Sequence, residues 1–211
     1  MWFRRSDDRD WRDAELLAVD FETTTGSPRE AEPLSVGWVA IRAGRVRLAD
    51  AGYRLVAHHG HLPRASLPIH GLLPHQLRAG APLDKVVAQL RDVVGGRIVV
   101  AHGAWIERAL LGRLDVDHVG LIDTMALVRR LDERTGRAPR GRSLTATARR
   151  FGVTPMRAHH AFGDALTTAM LLLVLASRVQ RDRPHCPVDD LLRLGQLEGR
   201  FTRPRRRSAR R

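Results

Sequence analysis

Five titratable side chains in three separated stretches of this 211-residue chain have the types and spacing for chemistry that uses a hard cation and a proton acceptor. Asp20 and Glu22 close an apolar run, Glu15 to Val19. In an extended strand, residues two apart project from the same face, so the two carboxylates converge at the strand end. Like charges placed so repel unless a cation lies between them, and oxygen-only ligands favour Mg²⁺ or Mn²⁺. Asp164 opens a long helical pattern, where the helix dipole favours a carboxylate. His159 precedes it by five residues, just before that helix or in its first turn. A histidine beside a metal site is a natural general base, because its pKa lies near working pH. Glu107 follows the apolar run Arg97 to Ala101 and can reach back toward the end of that run. Read singly, each has an ordinary role as a solvated strand-end acid, a helix cap or an exposed helix acid.

The elements that must position these groups are strands first, then alternating helices and strands. Leu34–Arg42 and Arg45–Leu55 read as strands joined at Ala43–Gly44 by a tight hairpin turn. Residues 57–82 read as a loop. Leu83, Val86, Val87, Leu90 and Val94 recur at helical spacing, and Gly95–Gly96 ends that helix. A short β-branched strand, Arg97 to Ala101, is followed by a helix from Ala104 to Leu114. Val119 to Ile122 is a strand leading into a helix that runs to about Leu131, then a basic loop, 132–142. Ser143 caps a helix reaching Phe151. The long helix covers about His160 to Val179, and a last one Val188 to Leu197. The pattern implies an α/β fold: a mixed sheet with an antiparallel hairpin and parallel strands, flanked by helices. The expected organisation is an N-terminal arm over 1–13, one domain over 14–182, a C-terminal helical extension over 183–199 and a basic, disordered tail over 200–211.

Composition bounds the partners. A hydrophobic fraction of 43% supports a folded chain, and the net charge of +13 points to a polyanion. Lys85 is the lone lysine, and arginine binds phosphate oxygens in a bidentate fork. The last twelve residues hold seven arginines and no acid, and 13 minus 7 leaves +6 without them. Cys186 is the lone cysteine, so an intrachain disulfide is excluded and a reducing compartment fits. The acidic N-terminal residues do not read as a signal peptide, and the longest apolar stretch, Ala169 to Ala176, is too short to span a bilayer. The expectation is a soluble, cytoplasmic protein with no membrane partner.

The motifs together resemble the DEDDh family of 3′–5′ exonucleases, DnaQ-like members of the ribonuclease H-like superfamily. That family includes the epsilon subunit of bacterial DNA polymerase III, ribonuclease T and oligoribonuclease. The resemblance spans about residues 14–180. Asp20-Phe21-Glu22-Thr23-Thr24 is similar to the first motif, and His159, four residues and Asp164 to the histidine form of the third. Ile69-His70-Gly71-Leu72 and Leu121-Ile122-Asp123-Thr124 match two further family segments. The second motif departs: in Ala101-His102-Gly103-Ala104-Trp105-Ile106-Glu107, Gly103 stands where the family has Asn and Glu107 where it has Asp.

The resemblance implies a ribonuclease H-like fold and a two-metal phosphodiesterase with Mg²⁺ or Mn²⁺. Asp20, Glu22 and Asp164 would be the metal ligands, Glu107 the second-motif acid acting through water, and His159 the general base. Two ions about 3.5–4 Å apart would stabilise the attacking and leaving oxygens. Thr23, His70 and His102 would contact the terminal nucleotide. The implied activity is 3′–5′ removal of nucleoside 5′-monophosphates from single-stranded DNA or RNA ends, in a proofreading or repair role beside a DNA polymerase subunit. The family also contains dimers, which allows a homodimer without indicating one. The alternative is a nucleic-acid-binding or polymerase-associated module with weak or lost nuclease activity, motivated by Gly103, Glu107 and the arginine tail.

Overall fold

A computed structural model of the chain describes residues 7–60, 62, 70–136 and 143–196. Five strands are present among them: β1 (Leu16–Thr23), β2 (Pro33–Arg42), β3 (Arg45–Leu55), β4 (Ile98–Ala101) and β5 (Gly120–Asp123). They form one sheet in the order β3-β2-β1-β4-β5. β1 to β3 pair antiparallel, and β1, β4 and β5 pair parallel. This is the mixed sheet expected from the sequence. The β2–β3 hairpin turns on Ala43 (φ +50°) and Gly44 (φ +64°), and two positive-φ centres match the twist of the flanking strands.

The helices are α1 (Pro74–Arg78), α2 (Leu83–Val94), α3 (Trp105–Arg113), α4 (Thr124–Arg134), α5 (Leu144–Arg150), α6 (Ala161–Gln180) and α7 (Val188–Leu194). Alternation along β1 sorts them into two cores. Leu16 and Ala18 pack on the face covered by α4, α6 and α7, with Leu171, Leu172, Leu175, Val188 and Leu191. Leu17, Val19 and Phe21 pack on the other face, against Val86, Leu90 and Val94 of α2 and Leu110 and Leu111 of α3. Each fully buried leucine contributes about 1.5–3 kcal/mol. The same period of two continues past Ala18, so Asp20 and Glu22 leave the strand on the α6 side.

Four elements differ from the sequence reading. β1 does not stop near Val19, because its ladder with β2 continues through Glu22 opposite Ser35. The stretch read as loop over 57–82 contains α1, which starts on Pro74, a residue preorganised for the first helical position, and buries Leu77. α4 runs past Leu131 to Arg134, because the buried Asp132 carboxylate is held by the Arg150 guanidinium of α5. The last helix stops at Leu194 rather than Leu197. There the Gly195 carbonyl accepts the Asp123 N–H at 2.8 Å, and a Cβ on Gly195 would meet Ile122 at 2.7 Å.

Residues ahead of β1 and those around α7 hold one another. Trp11 is buried, its backbone N–H donates to the Cys186 carbonyl (3.0 Å), and its indole N–H donates to Gln180 (3.1 Å). α6 has the length and apolarity of a membrane-crossing helix, but 61% of its most apolar window is buried inside the fold, as expected of a core helix. The arginine-rich tail over 200–211, and residues 197–199 of the expected extension, lie outside the described residues.

Candidate active site

The carboxyl ends of β1, β4 and β5 lie together, since Ala18 pairs with Val100 and Ala101 with Asp123. Three acids from two elements meet there. Asp20 and Glu22 come from β1 and Asp164 from the first turn of α6, and one oxygen from each lies within 4.8 Å of the others. What draws the α6 start so close is Gly37, the partner of Asp20 across the β1–β2 ladder. A Cβ there would stand 2.3 Å from the Phe162 nitrogen and 2.4 Å from the Ala161 carbonyl carbon. Sequence reasoning did not single out Gly37, although an isolated glycine inside a buried strand signals a close backbone approach.

Burial dominates the electrostatics. It lifts Asp20 well above the usual carboxylate range, with Glu107, Asp164 and Glu22 adding to the effect. It pushes Glu22 up to about 7, with Asp164 contributing. Asp164 is raised by burial, opposed by the His159 backbone N–H that donates to its carboxylate at 2.9 Å. Among the described residues, no side chain or backbone group donates a hydrogen bond to the carboxylate of Asp20 or of Glu22. Three converging carboxylates, two of them with unused acceptor capacity, form a donor set that fits a hard divalent cation.

Glu107 sits in the first turn of α3, only 5% exposed. It does not belong to the three-acid ring. It is raised to about 8, by burial above all and then by Asp123 and Glu22, against backbone hydrogen bonds that include one from Phe21. It therefore bridges α3 to β1 behind the ring and acts electrostatically on Asp20. The Arg113 guanidinium at the far end of the same helix donates to the Arg29 carbonyl (2.7 Å) and to that of Ala31, fixing the loop after β1.

His159 is exposed, with a positive φ of +58°, immediately ahead of the helix cap. His160 is that cap, its Nδ1 accepting from the Gly163 N–H at 3.4 Å. The His160 ring stacks on Tyr53 of β3, centroids 4.7 Å apart and planes at 20°. Tyr53 was not anticipated: 107 residues of sequence separate the pair, and no local pattern announces it. The three residues expected to contact a nucleotide are each held by a local hydrogen bond. The Thr23 hydroxyl donates to the Thr25 carbonyl (2.9 Å) within the turn after β1. His102 places Nδ1 2.9 Å from the Thr124 hydroxyl, which itself donates to the Ala101 carbonyl (3.1 Å). A hydroxyl has one proton, so Nδ1–H is the donor in that pair, and the ring orientation is fixed. His70 is buried in the turn before α1, where Nδ1 accepts from the Leu72 N–H at 3.0 Å.

Asp123 is a further acid that the motif search left without a role. It is buried, and its Oδ1 accepts from the backbone N–H of Gly103 (2.7 Å) and of Met125 (2.9 Å). It caps α4 and ties down the loop that carries His102. Gly103 has φ +69°, a region open to glycine and, among other residues, most readily to asparagine and aspartate. The glycine that stands here in place of the family's Asn therefore adopts this conformation without strain.

The exonuclease family model RNase_T matches residues 17–172, most of the chain and all five acids. The chain belongs to this exonuclease family. The PolC-type DNA polymerase III of Thermotoga maritima is 29% identical over 177 residues, covering 80% of this chain and 12% of that protein. The PolC-type enzyme of Staphylococcus haemolyticus is 23% identical over 182 residues, again 12% of its length. This exonuclease-family chain thus spans about an eighth of those relatives. Among solved structures, exonuclease X in complex with 5′-overhanging duplex DNA superposes with a TM-score of 0.65 at 19% identity, covering 86% of this chain and 99% of that one. Escherichia coli exonuclease I with a dT13 oligonucleotide gives 0.67 at 14% identity, covering 80% and 42%. These likenesses establish the ribonuclease H-like fold expected from the sequence.

Proposed function

We propose that the protein is a 3′–5′ exonuclease that hydrolyses the terminal phosphodiester of single-stranded nucleic acid and releases nucleoside 5′-monophosphates. The observation that carries this reading is the ring of Asp20, Glu22 and Asp164, with oxygens within 4.8 Å of one another in a chain of the exonuclease family. The three acids would hold divalent magnesium or manganese, which when bound polarises the phosphoryl oxygen and steadies the departing 3′-oxygen. His159, exposed and tethered to Asp164 through its backbone N–H, accepts a proton from the attacking water. The water oxygen bonds to phosphorus, the bond from phosphorus to the 3′-oxygen of the preceding nucleotide breaks, and that oxygen takes up a proton. His102, its ring fixed by Thr124, and the His70 turn line the approach of the terminal nucleotide. Glu107 adjoins the ring from α3, and Asp123 at the end of β5 fixes the loop that carries His102.

The PolC-type relatives are DNA polymerases, and the exonuclease X and exonuclease I structures hold DNA, which supports a DNA end as the substrate and a polymerase as a partner. The test is a 5′-labelled single strand incubated with the pure protein and Mg²⁺ or Mn²⁺. Stepwise shortening from the 3′ end, with mononucleotide products, is expected. A strand that stays intact, or one shortened equally by Asp20→Ala, sinks the proposal. Tight, salt-sensitive binding without cleavage would instead favour a binding module.

A further inference from the structure

Arg157 has no part in the chemistry above, yet its main chain is among the most tightly fixed near the site. Met156 N–H donates to the Thr167 hydroxyl of α6 at 3.0 Å, and His159 N–H donates to the Asp164 carboxylate at 2.9 Å. Between these two ties the chain crosses the first turn of α6 so closely that a Cβ on Gly163 would stand 2.6 Å from the Arg157 carbonyl oxygen. The backbone of Arg157 is thereby coupled to the same helix turn that presents Asp164.

The side chain of Arg157 reaches the opposite wall. A Cβ placed on Gly71 would lie 3.8 Å from its Nη2, and Gly71, with φ +65°, is the turn residue next to His70. The guanidinium charge acts on Tyr53 of β3. Burial raises the Tyr53 hydroxyl and Glu22 raises it further, while the positive charge of Arg157 lowers it. The guanidinium thus extends from the segment ahead of α6 to the His70–Gly71 turn, and its charge acts on Tyr53. It is exposed, and among the described residues it makes no ion pair with a carboxylate.

A group of acids that binds a polyanion has an electrostatic problem. Cations held by Asp20, Glu22 and Asp164 neutralise charge only where they sit, and the next phosphate along the strand meets a field still shaped by five carboxylates. A rigidly mounted guanidinium at the edge of that group answers it, since arginine forks onto phosphate oxygens with two parallel N–H donors. We infer that Arg157 binds the phosphodiester adjoining the scissile one, clamping the strand between the segment ahead of α6 and the His70–Gly71 turn. This inference rests on the exonuclease reading above and adds a strand-positioning ligand to it.

The test compares Arg157→Gln and Arg157→Lys with the wild type on two substrates: a 5′-labelled thymidine oligomer, and the p-nitrophenyl ester of thymidine 5′-monophosphate, which has one phosphate only. Arg157→Gln is expected to raise KM for the oligomer about tenfold with a smaller change in kcat. The loss in kcat/KM should be at least about fivefold greater on the oligomer than on the ester. The slope of log KM against log salt for the oligomer should shrink by about 0.7, the contribution of one single-strand phosphate contact. Arg157→Lys should recover part of the affinity. Equal losses on both substrates, or an unchanged oligomer KM and salt slope in a variant with wild-type thermal stability, would overturn the inference. A wild type that cleaves neither substrate fails at the earlier step and overturns both readings. A wild type that cleaves both, with Arg157→Gln indistinguishable from it, overturns this one alone.

Discussion

Asp20 and Asp123 lie at the carboxyl ends of β1 and β5, on either side of β4, and burial raises both, but their surroundings differ in kind. Asp123 is supplied with donors: Gly103 and Met125 aim backbone N–H groups at its Oδ1. Asp20 has none from any described residue and faces Glu22, Glu107 and Asp164 instead. A carboxylate satisfied by amides is a structural clamp. One that is buried among other acids without donors costs stability unless something cationic joins it. Unused acceptor capacity, rather than the presence of an acid, separates the ligand position from the scaffold position.

The largest expected effect tests that contrast directly. Asp20→Asn should lower nuclease activity by on the order of a thousandfold, through loss of a charged ligand. It should also raise the metal-free Tm by a few degrees, since it removes like-charge repulsion. Asp123→Ala should act in the opposite sense on the fold. It strands two amide donors and uncaps α4, a loss of about 2–4 kcal/mol. Thermal melts in chelator, read beside the activity assay, decide it. If both variants melt below the wild type, the distinction between the two acids collapses.

How far this contrast was readable in the sequence follows from distance along the chain. Asp20 and Glu22 share a face by the period of a strand, and His159 and Asp164 flank a helix start, so local geometry exposes both pairs. The sheet class followed from the order of periodic segments. The satisfied state of Asp123 depends on Gly103, twenty residues away, and the His160 stack on a tyrosine in β3, and no local pattern encodes either. The extra turn of α4 was missed for the same reason, because the arginine that holds Asp132 lies 18 residues on, in another helix. Gly37 is the intermediate case: it is visible as a glycine in a strand, but its meaning appears only when α6 is laid across it.

Gly37 also shows that the ligand position depends on backbone approach. Gly37→Ala puts a methyl group within 2.3–2.5 Å of main-chain atoms of Ala161 and Phe162, which no rotamer change relieves. The α6 start must shift, at a cost of about 1–3 kcal/mol. Asp164 then moves away from Asp20. Calorimetric titration with Mn²⁺ should show at least about tenfold weaker binding, alongside the lower Tm. A variant that loses stability but keeps full metal affinity would show that the ring tolerates movement of the helix.

A smaller, graded effect comes with pH. Glu22 at about 7 and Glu107 at about 8 lie above their ordinary value of 4.5. The folded, metal-free protein therefore holds more protons than the unfolded chain between about pH 4.5 and 8. Stability from these groups is fully present below that window and declines as pH rises through it, by about 1.4 kcal/mol per pH unit for each of the two protons that the fold retains and the unfolded chain has lost. Melts in chelator from pH 5 to 8.5 should fall steadily. Added Mg²⁺ or Mn²⁺ should flatten the curve, because it binds the deprotonated folded state. A metal-free Tm that holds constant or rises over that window contradicts the raised values.

The smallest effect concerns the scaffold side, at the glycine where the family carries asparagine. Gly103 adopts φ +69°, and the nearest atoms to a Cβ there are the Trp105 ring at 3.4 Å and Met125 at 3.6 Å. The space admits a side chain, so the backbone angle decides the outcome. Asparagine tolerates that angle better than alanine does. Gly103→Asn should change the Tm by less than the equivalent of about 0.5 kcal/mol, and Gly103→Ala should cost about 1 kcal/mol. Because the Gly103 N–H and Asp123 contact is a backbone one, both variants retain it, and the clamp on the His102 loop persists. If Gly103→Asn costs as much as Gly103→Ala, the loop conformation rather than the side chain differs from that of the family, and the scaffold half of the comparison has to be redrawn around Trp105.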